Sequence, residues 1–562
     1  MSLQFRVLYR EFLLRLVDLE LLSADAQGDT NKLLGQFATL LISSSVFIGL
    51  GGLLFDARGL TPAQFQAAAL TIEHFLIATT MLVTGLFAVL SWDSTFPDRK
   101  DVLVLASLPI RTRTLFLAKI AAVASGLGLA VLAFSGAPGM TWPLVFMGRS
   151  PGLLDLIFFF LHRAFFAYWI SVTAAAVFLF CCVLGIQGVA ALLPRRIFLR
   201  LSGFLQVAAF CTFLTVYFLE PSFASLEALG APGNQRALAW LPSWWFLGLF
   251  QQLNGAAQPA VARLAWRALI GLAVAVSITA VAYAVSYFRT IRKVIEEPDI
   301  TAGHRSGKWA VSFGEPARTA VVLFAIRTLM RSRRHRLFLS FYLGIGLAVV
   351  ILFSKDPVAR RQLASLVNVP LLLASVVMLF VWIMGTRVIF AIPLDLRANW
   401  IFRLTPVRGG AACLAAARQS LYLLGLAPAW SIAAVCFLWI WPWKTAAAHL
   451  LLLGLLGSIV VEATLFGFRK IPFTCSWLPG KSNIYRLYWG FFFALPLVLS
   501  QGCALELRAL HEAMLYGKVF AALAVGYAAT CWWVGARAAS EEPVVQFEEM
   551  ETSPILSLGL SG

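Results

Sequence analysis

Long apolar runs alternate along this chain with short charged segments. A helix needs about 20 residues to cross a hydrocarbon core of about 30 Å. Continuous apolar runs of that length predict spans at Leu33–Phe55, Ala68–Leu90, Leu115–Phe134, Ile197–Leu219 and Leu264–Phe288. A further tract, Leu153 to Leu193, is broken by His162-Arg163 and is too long for one upright helix, so part of it is expected to lie along or re-enter the membrane. After a polar stretch come Leu337–Phe353, Val369–Pro393, Ala415–Trp441, Thr445–Phe468, Ile484–Ala504 and Leu515–Ala536. The expectation is about twelve spans in two sets of six. Ahead of the first run, Phe5, Leu8, Phe12, Leu16 and Leu19 recur at helical spacing, with Arg6, Arg10, Glu11 and Asp18 elsewhere on the helix. That pattern suits an amphipathic helix at the lipid–water boundary. Val322, Ile326 and Met330, ringed by arginines, repeat it before the second set.

Composition narrows the class. Charged residues make up 13% of the chain and hydrophobic ones 60%, whereas soluble domains carry about 25% charged residues. Inside a bilayer only helices or closed barrels satisfy their own backbone, and continuous rather than alternating runs favour helices. The fold class read from the sequence is therefore all-α: a polytopic membrane protein of two pseudo-repeated six-helix bundles. Residues 1–288 form the first half, 289–336 a basic linker with the second interfacial helix, 337–540 the second half, and 541–562 an acidic tail.

The net charge of +18 could suggest nucleic acid, but its placement excludes that partner. Basic residues gather in alternate loops, around Arg99–Arg113, Arg195–Arg200, Arg289–Arg336, Arg397–Arg408 and Arg469–Arg486. By the positive-inside rule these loops and both termini are expected to be cytoplasmic, in a multi-pass protein of the inner (plasma) membrane. The 8 cysteines show no metal-ligand spacing, so no metal site is expected. No cleavable signal peptide is evident, because a charged, patterned stretch precedes the first apolar run.

Two polar patches share one order of residues. The first runs from Asp98-Arg99-Lys100-Asp101 to Pro109-Ile110-Arg111, and the second from Asp395-Leu396-Arg397 to Pro406-Val407-Arg408. At a constant offset Asp98 falls on Asp395, Lys100 on Arg397, Pro109 on Pro406 and Arg111 on Arg408. A short surface helix offering a charged, proline-ended edge to the water would have this composition.

Enzymatic signatures are missing. Pro479-Gly480-Lys481-Ser482 has Cys475 where a phosphate-binding loop needs glycine, and His511-Glu512 has Leu515 where a zinc protease needs its second histidine. Ionisable residues inside apolar runs are costly and so are functional candidates. They are Glu73, His74, His162, Arg163, Arg387 and Glu462. Arg163 and Arg387 lie near span ends, where snorkelling is the expectation. Glu462 either lines a polar pathway or pairs with an arginine on another helix.

At the two patches the sequence resembles the type-2 ABC exporter permease family, whose loop between the second and third spans carries a coupling helix. The motif from Asp98 to Arg111, followed by Lys119, carries the likeness, as do the interfacial helix before the first span and the aromatic segment Pro242-Ser243-Trp244-Trp245-Phe246 before the sixth. The second copy departs from it, with Ala398 in place of the second acid and Ala416 in place of Lys119. The resemblance implies a non-enzymatic permease with no cofactor of its own. ATP and Mg would be held by a separate cytoplasmic ABC ATPase subunit, in two copies. Asp98, Lys100, Arg111, Asp395, Arg397 and Arg408 would make charged contacts to it, and Pro109 and Pro406 would end the docking helices. The alternative is a secondary transporter driven by an ion gradient, which also uses internal repeats.

Overall fold

The computed structural model describes residues 3–17, 30–55, 60–95, 110–147, 159–219, 239–256, 258–296, 312–354, 369–394, 402, 410–466, 468, 470–474 and 501–540. Every regular element among them is helical. Nine of the helices are long and apolar enough to cross a membrane, or ten if the bent pair Pro316–Arg331 and His335–Ile351 is one span. The chain forms two compact units, Met1–His304 and Arg305–Gly562.

The first unit contains α1 (Leu3–Val17), α2 (Thr30–Leu53), α3 (Pro62–Leu90), α4 (Trp92–Thr95), α5 (Thr112–Phe146), α6 (Arg163–Ala191), α7 (Arg195–Leu219), α8 (Pro242–Asn254) and α9 (Pro259–Glu296). Thr61 starts α3 with a capping box, its hydroxyl taking the Gln64 amide while the Gln64 side chain takes the Thr61 amide. The apolar stripe of α1 is spent on protein: Leu8, Phe12 and Leu16 are buried, with Leu16 seated over Gly126 of α5, where no larger side chain would fit. The Tyr9 hydroxyl donates to Ser125 at 2.9 Å, and Lys119 sits 4.5 Å over the Phe12 ring.

One expectation is revised here. Helix α5 runs on past Phe134 through Pro138 and Pro143 to Phe146. Such prolines are tolerated in a span when neighbouring groups take up the freed backbone positions; Gly139 lets Tyr168 and Trp169 close against the helix there. The aromatic segment after Leu241 is buried inside the unit. Trp244, Phe246 and Phe250 of α8 are each at most 2% exposed, because α8 packs against α3, α6 and α9. Gly248 lies so close to Leu264 that any side chain there would collide, and Gly255 (φ 105°) closes the helix in the left-handed conformation. The exposed indole nearby is Trp240, at 82%.

The second unit contains α10 (Pro316–Arg331), α11 (Arg333–Ser354), α12 (Val369–Ile389), α13 (Gly410–Leu421), a π-helical turn (Tyr422–Leu426), α14 (Ala427–Ile440), α15 (Trp443–Thr464), α16 (Cys503–Ala509) and α17 (Ala513–Ser540). The π turn joins α13 to α14 within one span, Cys413–Ile440. Val321 and Val322 on the buried stripe of α10 pack with Cys413 and Ala416 of α13. Most of the span expected at Ile484–Ala504 lies outside the described residues, as does the tail from 541.

Candidate functional site

Most of both patches lies outside the described residues: Asp98, Arg99, Lys100, Asp101 and Pro109 of the first, and Asp395, Arg397, Pro406 and Arg408 of the second. Arg111 is described. It is exposed and is the N-cap residue of α5, with extended backbone and no side-chain capping bond.

The chain entering the first patch is tied down by three helices. After α3 ends, Ser91 to Thr95 turn inside the unit with Trp92 1% exposed. Gln206 of α7 donates to the Val89 carbonyl at 2.7 Å, and Gln187 of α6 to the Trp92 carbonyl at 2.5 Å. The Trp92 indole donates to Ser202 at 2.9 Å, and the Tyr283 hydroxyl of α9 to the Thr95 carbonyl at 2.9 Å. Carbonyls freed at a helix end need partners when buried, and here side chains of other helices supply them.

The approach to the second patch is tied by main chain instead. The Phe473 amide donates to the Phe390 carbonyl at 2.8 Å, and the Leu394 amide to the Phe473 carbonyl at 2.9 Å. His335 of α11 lies 3.0 Å from the Ile392 carbonyl and edge-on to the Phe473 ring. Phe473 has φ 65°, a left-handed conformation that costs a residue with a Cβ about 1–2 kcal/mol. The ring is wedged among Phe324, His335 and Phe390, and that packing holds the conformation.

The intramembrane candidates divide into groups. Glu73 and His74 both meet the short helix α8: Glu73 accepts from the Gln251 side chain, and His74 Nε2 lies 3.2 Å from Ser243 Oγ. The His74 ring stacks on Trp244 at 4.4 Å between centroids. His162 is the N-cap of α6, its Nδ1 accepting the Ala164 amide at 3.2 Å. Arg163 beside it is exposed and donates to the Leu253 carbonyl at 3.3 Å, a cation at the C-terminal end of α8.

Arg387 corrects the snorkelling expectation. It is 5% exposed, donates from Nε to the Thr464 carbonyl at 2.9 Å and lies 4.4 Å over the Phe468 ring. Neighbouring helix ends cover its stem and head, so the guanidinium is held by a carbonyl and a ring. Glu462, fully buried, lies 2.8 Å from Arg418 Nε through Oε1 and accepts from it through Oε2 at 3.0 Å. Of the two expectations for Glu462, this geometry is the arginine pair. The sequence reading missed His449 and Glu506, whose Nδ1 and Oε1 are 2.6 Å apart. An ionisable residue within the apolar Thr445–Phe468 run was the signal for His449; Glu506 stands just past a predicted span and gave none.

No group of three or more His, Cys, Asp or Glu side chains that could hold a metal occurs among the described residues. Comparison with known proteins finds no matching family model, no matching curated protein and no matching solved structure.

Proposed function

We propose that this chain is the membrane-spanning permease subunit of an ATP-binding cassette exporter, with both patches facing the cytoplasm of the plasma membrane. A separate ATPase subunit, in two copies, would bind ATP and Mg and grip the patches. The observation that carries this reading is the recurrence of acid, base, proline and arginine in one order in both halves. The tied segments support it: a push on a loop moves the spans only if the chain leading from that loop is fastened to them. The side-chain bonds at Val89, Trp92 and Thr95, and the main-chain bonds at Phe390 and Leu394, are fastenings of that kind. Asp98, Lys100, Arg111, Asp395, Arg397 and Arg408 supply the charged contacts, and Arg111 is exposed.

The test is charge reversal at both patches. Arg111→Glu with Arg408→Glu should abolish ATP-driven export, and co-purification of an ATPase, while the chain still inserts and folds. Unchanged ATP-driven export in the double variant sinks the reading. A second reading, a carrier driven by an ion gradient, draws on the buried carboxylates Glu73 and Glu462; gradient-driven uptake by the purified chain alone would select it.

A further inference from the structure

We infer that Ser375, His449 and Glu506 form a proton-binding site that latches the short helix α16 onto α12 and α15. His449 Nδ1 lies 2.6 Å from Glu506 Oε1, and its Nε2 lies 3.0 Å from Ser375 Oγ. The Ser375 hydroxyl donates to the Leu372 carbonyl at 2.7 Å. A hydroxyl has one proton, so with that proton on Leu372 the oxygen can only accept from Nε2. In that arrangement Nε2 carries a hydrogen, and a second proton lies between Nδ1 and the carboxylate, because two lone pairs at 2.6 Å repel. The pair in this first state holds one proton more than a neutral imidazole beside a carboxylate, and its net charge is zero.

The same atoms allow a second state. If the Ser375 hydroxyl rotates from Leu372 to Nε2, the ring needs a hydrogen on Nδ1 alone, and one proton leaves for water. The balance is imidazolium plus carboxylate giving imidazole, carboxylate and a proton. The second state leaves a net negative charge where His449 is 0% exposed and the Glu506 side chain 12%. Burial disfavours that charge, and the strain is relieved when α16 lifts and hydrates Glu506. Acid therefore favours the latched form and rising pH loosens it, since the latched form binds the extra proton.

Among the described residues, nothing around the pair would cancel this charge. Phe437 and Trp441 enclose the ring, with centroids at 4.6 and 5.5 Å. Among the described residues, the other titratable groups facing Glu506 are Cys503 on α16 and Tyr516 on α17, both uncharged near neutral pH. Lys444 and Arg508, on the same helices as the pair, are exposed. The site stands independently of what powers the chain.

Hydrogen exchange of the segment 501–512, in the full chain in lipid nanodiscs from about pH 5 to pH 9, reads the latch directly. Corrected for intrinsic exchange, wild-type protection should fall on the order of tenfold as pH rises. Glu506→Gln, neutral at every pH, should keep the segment protected at the alkaline end, and His449→Ala should leave it unprotected throughout. A flat wild-type profile overturns the site, and so does Glu506→Gln following the wild-type curve.

Discussion

The two units face one physical problem and solve it with different bonds. Each has a short helix, α8 or α16, that must be held against spans. In the first unit α8 is held chiefly by bulk: Trp244, Phe246, Leu247 and Phe250 are buried, and the polar contacts at Glu73 and His74 add orientation. In the second unit α16 has seven residues, too few to bury such a face, and an ionisable pair does the holding. The contacts of α8 are mostly aromatic surface, whereas α16 is held through His449 and Glu506. The patch approaches differ in a similar way, with side-chain bonds from three helices in one unit and main-chain bonds to Phe473 in the other.

Variants can break this comparison, taken here in order of expected size. Arg418→Ala should cost the second unit about 2–3 kcal/mol, because it leaves Glu462 charged and buried; the partial exposure of Arg418, 34%, trims the penalty expected of a dry pair. Unfolding in micelles measures it, and Glu462→Gln in the same chain should restore most of the loss. A single-variant cost below about 0.5 kcal/mol would show that the pair does not hold Glu462.

Gln206→Leu should cost about 1–2 kcal/mol by leaving the Val89 carbonyl without its side-chain donor. Under the proposed function it should also lower transport per ATP hydrolysed while leaving ATPase assembly unchanged. Equal coupling in variant and wild type would separate the tie from force transmission. The smallest effect belongs to Glu73→Gln, about 0.5 kcal/mol or less, since a glutamine oxygen still accepts from Gln251. Should transport collapse while the melting temperature holds, the charge at Glu73 is used directly and the ion-gradient reading gains.

Much of this was legible in the chain because lipid leaves few options. Runs of apolar residues long enough to cross a bilayer must be helices; Ala68–Leu90 and Thr445–Phe468 lie within a few residues of observed helices. The ionisable residues within those runs were equally visible, since burying them is costly. Their partners were not. Arg418 stands 44 residues from Glu462, Gln251 stands 178 from Glu73, and nothing in the local pattern pairs them. Arg387 sits at a span end in the sequence, and whether a neighbour covers it depends on which helix end lies beside it.

The amino-acid order by itself determined that the chain is helical, membrane-embedded and marked twice by one polar pattern, because periodicity and transfer cost are local properties. Tertiary structure alone decided that α8 is buried, that Phe473 holds a left-handed backbone, and that His449 has a carboxylate on one side and a hydroxyl on the other. Those outcomes depend on which surfaces meet, and a hydrogen bond between distant helices is specified only when packing brings donor and acceptor within about 3 Å.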